Sequence, residues 1–347
     1  MIGIGLLLIY LAIKKEMEPS LLLPMGFGTV LVNIPGSDAL TGPIRVLYEA
    51  GIANELFPLL LFVGIGAMID FGPLLANPKL MLFGAAAQFG IFFTLCAASM
   101  FFPQTDAAAI AVIGAADGST SIAVANALRS EYVGAITVAA YSYMALVPVI
   151  QPPVIRALTT KAERLIRMPY RPGSVSKQTR ILFPVLITVV VSAVVPQAAS
   201  LIGFLMFGNL IRVCGVLDSL SDTAQNVLAR LVTLFLGIAV SFNMTGAQFL
   251  RPDTLLILLL GLVAFVMDTA GGVLFAKFLN LFLKEKVNPM IGAAGISAFP
   301  MSGRIVHKMG LAEDPYNFLL MHSVGVNVSG QIASVIAGGI ILKLFGG

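Results

Sequence analysis

Asp117 is the side chain hardest to account for as structure alone. It is the single charged residue of Ala107–Leu128 and lies near the middle of that stretch. A carboxylate at the centre of a membrane segment costs at least about 2.5–3.5 kcal/mol on insertion scales, so it must face a cavity or a partner. Its surroundings read Gly114-Ala115-Ala116-Asp117-Gly118-Ser119-Thr120-Ser121. Glycines allow a helix to unwind there and free its carbonyls, and the hydroxyls of Ser119 and its neighbours add hard oxygen ligands. Carboxylate, carbonyl and hydroxyl oxygens together suit a small hard cation such as Na⁺. The competing reading is an Asp that caps the second half of a broken helix; one residue can do both.

Other residues carry weaker signals. Asn288-Pro289-Met290-Ile291-Gly292-Ala293-Ala294-Gly295-Ile296-Ser297 has the same small-residue texture, with an amide and a hydroxyl in place of the acid. One charged and one neutral half-site would together hold one monovalent cation or proton. Asp268 is a second intramembrane acid, and Asn327 and Gln331 form a second buried amide cluster. Asp70 and Asn243 fall at corresponding places near the ends of their helices. Arg304 follows the second broken helix and borders an opening or pairs with an acid. Tyr141 and Tyr143 stand two apart, so they point to different helix faces and cannot both line one cavity. A phenol could relay a proton or ligate an ion; packing is the alternative for either ring. His307 and His322 are too few for a multi-histidine metal site, and Cys96 and Cys214 form no framework. No P-loop, G-x-S-x-G or dinucleotide fingerprint occurs, so no ATP-driven pump is encoded.

The elements that must position these groups are membrane spans. Of 347 residues, 58% are apolar and only 11% charged, with a mean hydropathy of +0.96; soluble domains carry about 25% charge. Apolar segments run near 2–13, 20–34, 55–69, 80–102, 107–128, 133–155, 181–196, 198–213, 231–246, 254–283, 288–303 and 317–345. The expected fold is therefore all-α, a polytopic integral membrane protein of about 10–12 such segments embedded in lipid. Met1–Ile13 is short for a span and carries no basic region or cleavage site of a signal peptide. The stretch Gly215–Arg230 reads as an amphipathic connector able to lie along the interface.

The net charge of +4 does not suggest a nucleic-acid binder, because the cations are concentrated in one place. Arg156, Lys161, Arg164, Arg167, Arg171, Lys177 and Arg180 stand against one acid, Glu163, which makes loop 156–180 cytoplasmic by the positive-inside rule. That loop is either a topology determinant or a docking face for an acidic partner.

An internal repeat organises the rest. Phe62-Val63-Gly64-Ile65 through Asn77-Pro78 is echoed by Phe235-Leu236-Gly237-Ile238 through Arg251-Pro252, and Ile113-Gly114-Ala115-Ala116 by Ile291-Gly292-Ala293-Ala294. The division that follows is N-terminal segments 1–54, a first repeat 55–155, the basic loop 156–180, linking segments with the connector 181–227, and a second repeat 228–347. Duplicated halves with helices broken at 114–121 and 288–298 point to a transporter-type site at the repeat interface. Inversion of the halves, with the broken helices crossing at the ion site, is the expectation.

The residues resemble the β subunit of the biotin-dependent sodium-pumping decarboxylases, which act on oxaloacetate, methylmalonyl-CoA, glutaconyl-CoA or malonate. The matching stretches are Gly26-Phe27-Gly28 with Asn33-Ile34-Pro35, Gly114–Gly118, Ala139–Pro148 with Gln151-Pro152-Pro153, Asp268-Thr269-Ala270-Gly271-Gly272, and Asn288-Pro289 with Gly292–Gly295 and Ser297. They span nearly the whole chain in family order.

The resemblance implies an enzyme subunit in a bacterial inner membrane that decarboxylates carboxybiotin and couples this to Na⁺ export, with proton uptake. Its partners would be a biotin-carrying carboxyltransferase α subunit, a small single-span γ/δ-type subunit and further copies of itself; the biotin is attached to a partner. Carried over by residue, Asp117 is the central Na⁺- and proton-coupled acid and Tyr143 the functional Tyr. Asn288, Gly292 and Ser297 form the second Na⁺-linked motif, Arg304 meets carboxybiotin, and Asn327 lies near the site. The family's usual Asp-Gly-Pro-Thr stands here as Asp117-Gly118-Ser119-Thr120, and Met1–Ile13 reads as a shortened first span. The reading from another class is a stand-alone sodium-coupled carrier of a small anion, separated by whether a biotin-carrying partner is needed.

Overall fold

A computed structural model describes residues 1–14, 16, 19–169 and 175–346; Arg171, one cation of the 156–180 loop, lies outside them. Every regular element among the described residues is helical. A bilayer demands this, since backbone groups in lipid must be satisfied within the segment. Among the described residues, six helices are long and apolar enough to cross a membrane, or up to eight if two bent pairs each count as one span.

The chain opens with α1 (Ile2–Lys14) and α2 (Pro19–Val32), which pack backbone to backbone through Gly5 and Gly26. Next come α3 (Leu56–Met68), then α4 (Met81–Ala87) and α5 (Phe89–Ala98), one span interrupted at Gln88. A first hairpin consists of α6 (Gln104–Ala111) and α7 (Gly118–Ala127), followed by α8 (Val133–Leu158). After α9 (Lys177–Val194) and α10 (Ala199–Cys214) come α11 (Ala229–Val240) and the long α12 (Pro252–Phe282). A second hairpin, the 3-10 segment Pro289–Gly295 with α13 (Met301–Glu313), precedes α14 (Leu320–Phe345).

The two hairpins enter the bundle from opposite ends. At the mouth of the first, Ser130 donates to Asp106 at 2.6 Å, and Tyr132 reaches Asp253 beside the start of α12 at 3.4 Å. At the mouth of the second, the Asn288 amide donates to the carbonyls of Arg164 and Ile166, while Lys277, near the end of α12, donates to the Leu158 carbonyl. The tips meet between these ends, where the Ser297 N–H donates to the Ala115 carbonyl at 3.2 Å. Helix α12 braces both hairpins. Its Gly272 lies directly on the Gly292 backbone, and an added Cβ on Gly114 would come within 3.3 Å of its Ala264 side chain.

The connector 215–230 is not a separate interfacial helix. It supplies the first turns of one 26-residue apolar span, Asp218–Asn243. Ser221, Ala224 and Ala229 are buried, and Gly64 of α3 is seated against Ala224 and Ala229. Small residues at this spacing let two helix backbones approach. That packing outweighs the apolar scatter that made the stretch read as amphipathic.

The basic loop is latched onto the second hairpin. Arg164 pairs with Glu313 at 2.7 Å, Arg167 with Asp314 at 2.6 Å, and Glu163 with Lys277 at 3.2 Å. Two of the loop's cations are therefore already engaged. Burial opposes ionisation of Glu163, but hydrogen bonds from Thr160 and Lys277 outweigh it and hold its carboxyl below the usual range. The Arg167 guanidinium does the same for Asp314. A depressed carboxyl pKa stabilises the folded form fully above the unfolded value, about 3.9 for Asp, and loses that contribution as pH falls through the lower folded value. Amide exchange of loop residues 160–168, corrected for intrinsic rates, should thus stay protected at pH 6 and open below about pH 4. Asp314→Asn should lose part of that protection already at pH 6.

Candidate functional site

The break in the first hairpin is local. A 3-10 turn, Val112–Ala115, ends at Ala116, whose φ of 53° is left-handed; Asp117 is extended, and α7 starts at Gly118. The Asp117 carboxylate caps α7, accepting from the Ser119 N–H at 3.1 Å and from the Thr120 hydroxyl at 2.6 Å. The positive end of a helix favours an anion there. The cap leaves lone pairs on both oxygens free for another ligand.

Asp117 is only 4% exposed, and it borders a cavity of about 210 Å³. Ser119 lines this space from the first hairpin, Ser297 from the second, Tyr141 from α8 and Gln331 from α14. The tip of the second hairpin is held from α14. Ser297 donates its hydroxyl to the Gly330 carbonyl at 2.9 Å, Gln331 donates to the Ser297 carbonyl, and Asn327 donates to the Ile296 carbonyl at 2.7 Å. Two buried oxygens at this crossing, Asn327 Oδ1 and Gln331 Oε1, have no hydrogen-bond partner, and Ser119 Oγ and Tyr141 OH have at most each other. Buried polar atoms are almost always paired. Unpaired oxygens beside a buried carboxylate make a donor set that fits a hard monovalent cation.

The structure thus gathers Asp117, Ser119 and Ser297, with Asn327 at their edge. Tyr143 lies elsewhere, its hydroxyl donating to the Leu258 carbonyl and its ring resting on Gly261. Tyr141 is the ring over Asp117, packed so tightly on Gly118 that any side chain at 118 would strike it. Gly292 is a packing glycine against Gly272. Asp268 is fully buried on α12, facing the Gly90 and Ile91 amides at the α4/α5 interruption. Asp70 accepts from the Gly72 N–H at 2.8 Å near Arg180, whereas Asn243 packs against Gly134 at the opposite end. Arg304 is exposed on α13. A larger cavity of about 800 Å³ lies at the basic-loop end, between Lys79, Arg167 and Lys286, and does not reach Asp117.

Asn288 is fully committed to the loop: its amide donates twice, at 2.8 and 2.9 Å, and its oxygen accepts from the Met290 N–H. Asn288→Ala should therefore lower stability by about 1–3 kcal/mol, the cost of leaving buried carbonyls unpaired. The half-saturating Na⁺ concentration for activity should stay within about twofold, whereas an order-of-magnitude rise would make Asn288 an ion ligand.

Two cavity residues, Gln331 and Arg230, stand in the sequence only as parts of longer polar stretches. Arg230 lines the same space as Asp117. Its sequence signal is weak, a cation at the junction between the polar stretch 218–226 and the apolar run that follows it.

Paired broken hairpins entering a helical bundle from opposite ends, with a buried acid at their crossing, define a membrane ion-transport protein. The chain belongs to the family of Na⁺-transporting oxaloacetate decarboxylase beta subunits, which matches residues 1–345. It is 50% identical to methylmalonyl-CoA decarboxylase subunit beta of Veillonella parvula, over 99% of this chain and 92% of the relative. It is 46% identical to the subunit of that name in Propionigenium modestum, over 100% and 94%. To the oxaloacetate decarboxylase beta chain of Klebsiella pneumoniae it is 45% identical, over 99% and 94%. The chain is thus a subunit of the sodium-transporting decarboxylase class and works within a multi-subunit enzyme.

Proposed function

We propose that this subunit decarboxylates carboxybiotin brought by a soluble biotin-carrying α subunit and couples the reaction to Na⁺ export. The observation that carries this reading is the buried Asp117 carboxylate at the hairpin crossing, in a cavity where Gln331 Oε1 is unpaired and Ser119 Oγ and Tyr141 OH have at most each other. Na⁺ is the cargo, held by Asp117, Ser119, Tyr141 and Gln331, with Ser297 and Asn327 shaping the second side. In the chemical step the N–CO₂⁻ bond of carboxybiotin breaks, its electron pair stays on the ureido nitrogen, and that nitrogen takes one proton. Carboxybiotin anion plus H⁺ gives biotin plus CO₂. A proton reaching Asp117 displaces Na⁺ from the same carboxylate, so one acid senses both ions.

Tyr143 serves by bracing α8 against α12, which keeps Tyr141 over Asp117. Arg304 offers an exposed cation to the incoming carboxylate. Asn288 and Gly292 hold the second hairpin in place, and Asp268, Asp70 and Asn243 have structural roles. The two halves, 55–155 and 228–347, are inverted repeats, a reading supported by hairpins that open at opposite ends. The basic loop faces the cytoplasm, in a bacterial inner membrane. A small single-span subunit and further copies of this chain complete the assembly.

The test uses membranes that contain this chain and its small partner, mixed with a ¹⁴C-carboxylated biotin carrier. CO₂ release stimulated by Na⁺ supports the reading. No release at any Na⁺ concentration, from folded protein, overturns it in favour of a stand-alone carrier.

A further inference from the structure

Arg230 has no role in the scheme above, yet its position is costly. The apolar part of the Asp218–Asn243 span begins at Val227, which places residue 230 one turn inside it. A cation at such a depth must face water, a cavity or an anion. Arg230 is exposed and lines the Asp117 cavity, as do Ser20 and Thr233. Among the described residues the ion pairs belong to Arg45, Arg164, Arg167 and Lys277, and none to Arg230.

The cavity wall also locates the mouth. Met68, which lines the same space, ends α3, and its carbonyl accepts from Arg212 at 2.6 Å. Just beyond, an added Cβ on Gly72 would lie 3.1 Å from Arg180, at the start of α9. Ala229, next to Arg230, packs on Gly64, one turn before Met68, so Arg230 stands toward the basic-loop end of the cavity, with Asp117 at the hairpin tips.

We infer that Arg230 recognises the carboxylate anion that this cavity receives, a small planar group of the kind carried on an N-carboxylated urea. The inference rests on the carboxybiotin reading and adds the residue that reads the charge. A guanidinium matches a planar carboxylate with two parallel hydrogen bonds, which hold it in one orientation.

The same placement supplies a coupling device. An unpaired guanidinium in the cavity opposes Na⁺ at Asp117. A bound carboxylate cancels that charge, so anion and Na⁺ each strengthen the other's binding, by equal factors. Decarboxylation with protonation turns the anion into neutral biotin and CO₂. The charge of Arg230 is then uncompensated again, and Na⁺ is held less tightly after the chemical step than before it. Loss of CO₂ thereby becomes the event that loosens the ion.

The experiment compares wild type, Arg230→Gln and Arg230→Lys in the assembled complex. With carboxylated carrier, Arg230→Gln should raise the half-saturating carrier concentration about tenfold, and Arg230→Lys by less, because the ammonium lacks the planar fork. Binding of ²²Na⁺ without carrier gives the decisive readout. Arg230→Gln should bind Na⁺ about tenfold more tightly than wild type, since a repelling charge has gone. A misfolded variant cannot produce that gain. Unchanged or weaker Na⁺ binding in Arg230→Gln overturns the assignment. So does an unchanged carrier requirement while wild type is active. Wild type that releases no CO₂ removes the carboxybiotin reading itself, whatever the Na⁺ affinities.

Discussion

Asp117→Asn should reduce Na⁺-dependent decarboxylation by at least about a hundredfold, with little change in stability. The two effects separate because the carboxylate has two jobs. As a helix cap it accepts from the Ser119 N–H and the Thr120 hydroxyl, and Asn caps nearly as well as Asp. As an ion ligand it supplies the one negative charge of the cavity wall, which an amide cannot replace. Leaving the other half of a buried charge interaction unmatched costs about 3–5 kcal/mol, more than enough for a hundredfold loss. Asp117→Ala is the companion variant: it should lose the same activity and, in addition, about 1 kcal/mol of stability with the cap. Activity is read as Na⁺-stimulated CO₂ release and stability as thermal unfolding in detergent. Coupling retained in Asp117→Asn would take this acid out of the centre of the mechanism.

The second large effect concerns the packing that brings the hairpins together. Gly272→Ala should destabilise the protein by about 3 kcal/mol or more, whereas Gly203→Ala should be neutral or slightly stabilising. Both glycines lie within helices, and both changes add one methyl group. An added Cβ at 272 would strike the carbonyl of Gly292 and come within 2.7 Å of its carbon, which is backbone and cannot step aside. At 203 the nearest atom is a Thr188 methyl at 3.9 Å, an ordinary contact. Since Gly292 belongs to the second hairpin, pushing it away displaces Ser297 from the crossing, so Na⁺-dependent activity should fall along with the melting temperature. A drop on the order of 5 °C or more is the expected signal for Gly272→Ala. Equal melting temperatures for the two variants would mean that α12 does not hold the hairpin as described.

The membrane class, the broken helices and a buried acid at the first break were all readable in one dimension, because each rests on a local cost. An apolar run of about 20 residues is a span whatever its neighbours, and a lone carboxylate inside one is expensive wherever the chain later goes. Gly114 and Gly118 around Asp117 marked the unwinding for the same reason. The echo of 113–116 in 291–294 falls on the two broken segments.

Relations between distant elements were not readable in this way. Tyr141 and Tyr143 are equivalent in type and two residues apart; only the rotation of α8 decided that Tyr141 stands over Gly118 while Tyr143 reaches Leu258 on α12. Asn288 looked like a partner of Asp117 because its motif matched. Its amide instead ties the basic loop to the mouth of the second hairpin, and Ser297, at the tip, makes the approach. Gln331 and Arg230 came to the cavity from α14 and α11, elements with no sequence link to Asp117. The amino-acid sequence alone determined which side chains were too costly to be idle. Only the tertiary structure decided which of them share a cavity, because helix direction and rotation are set by close contacts between glycines far apart in the chain.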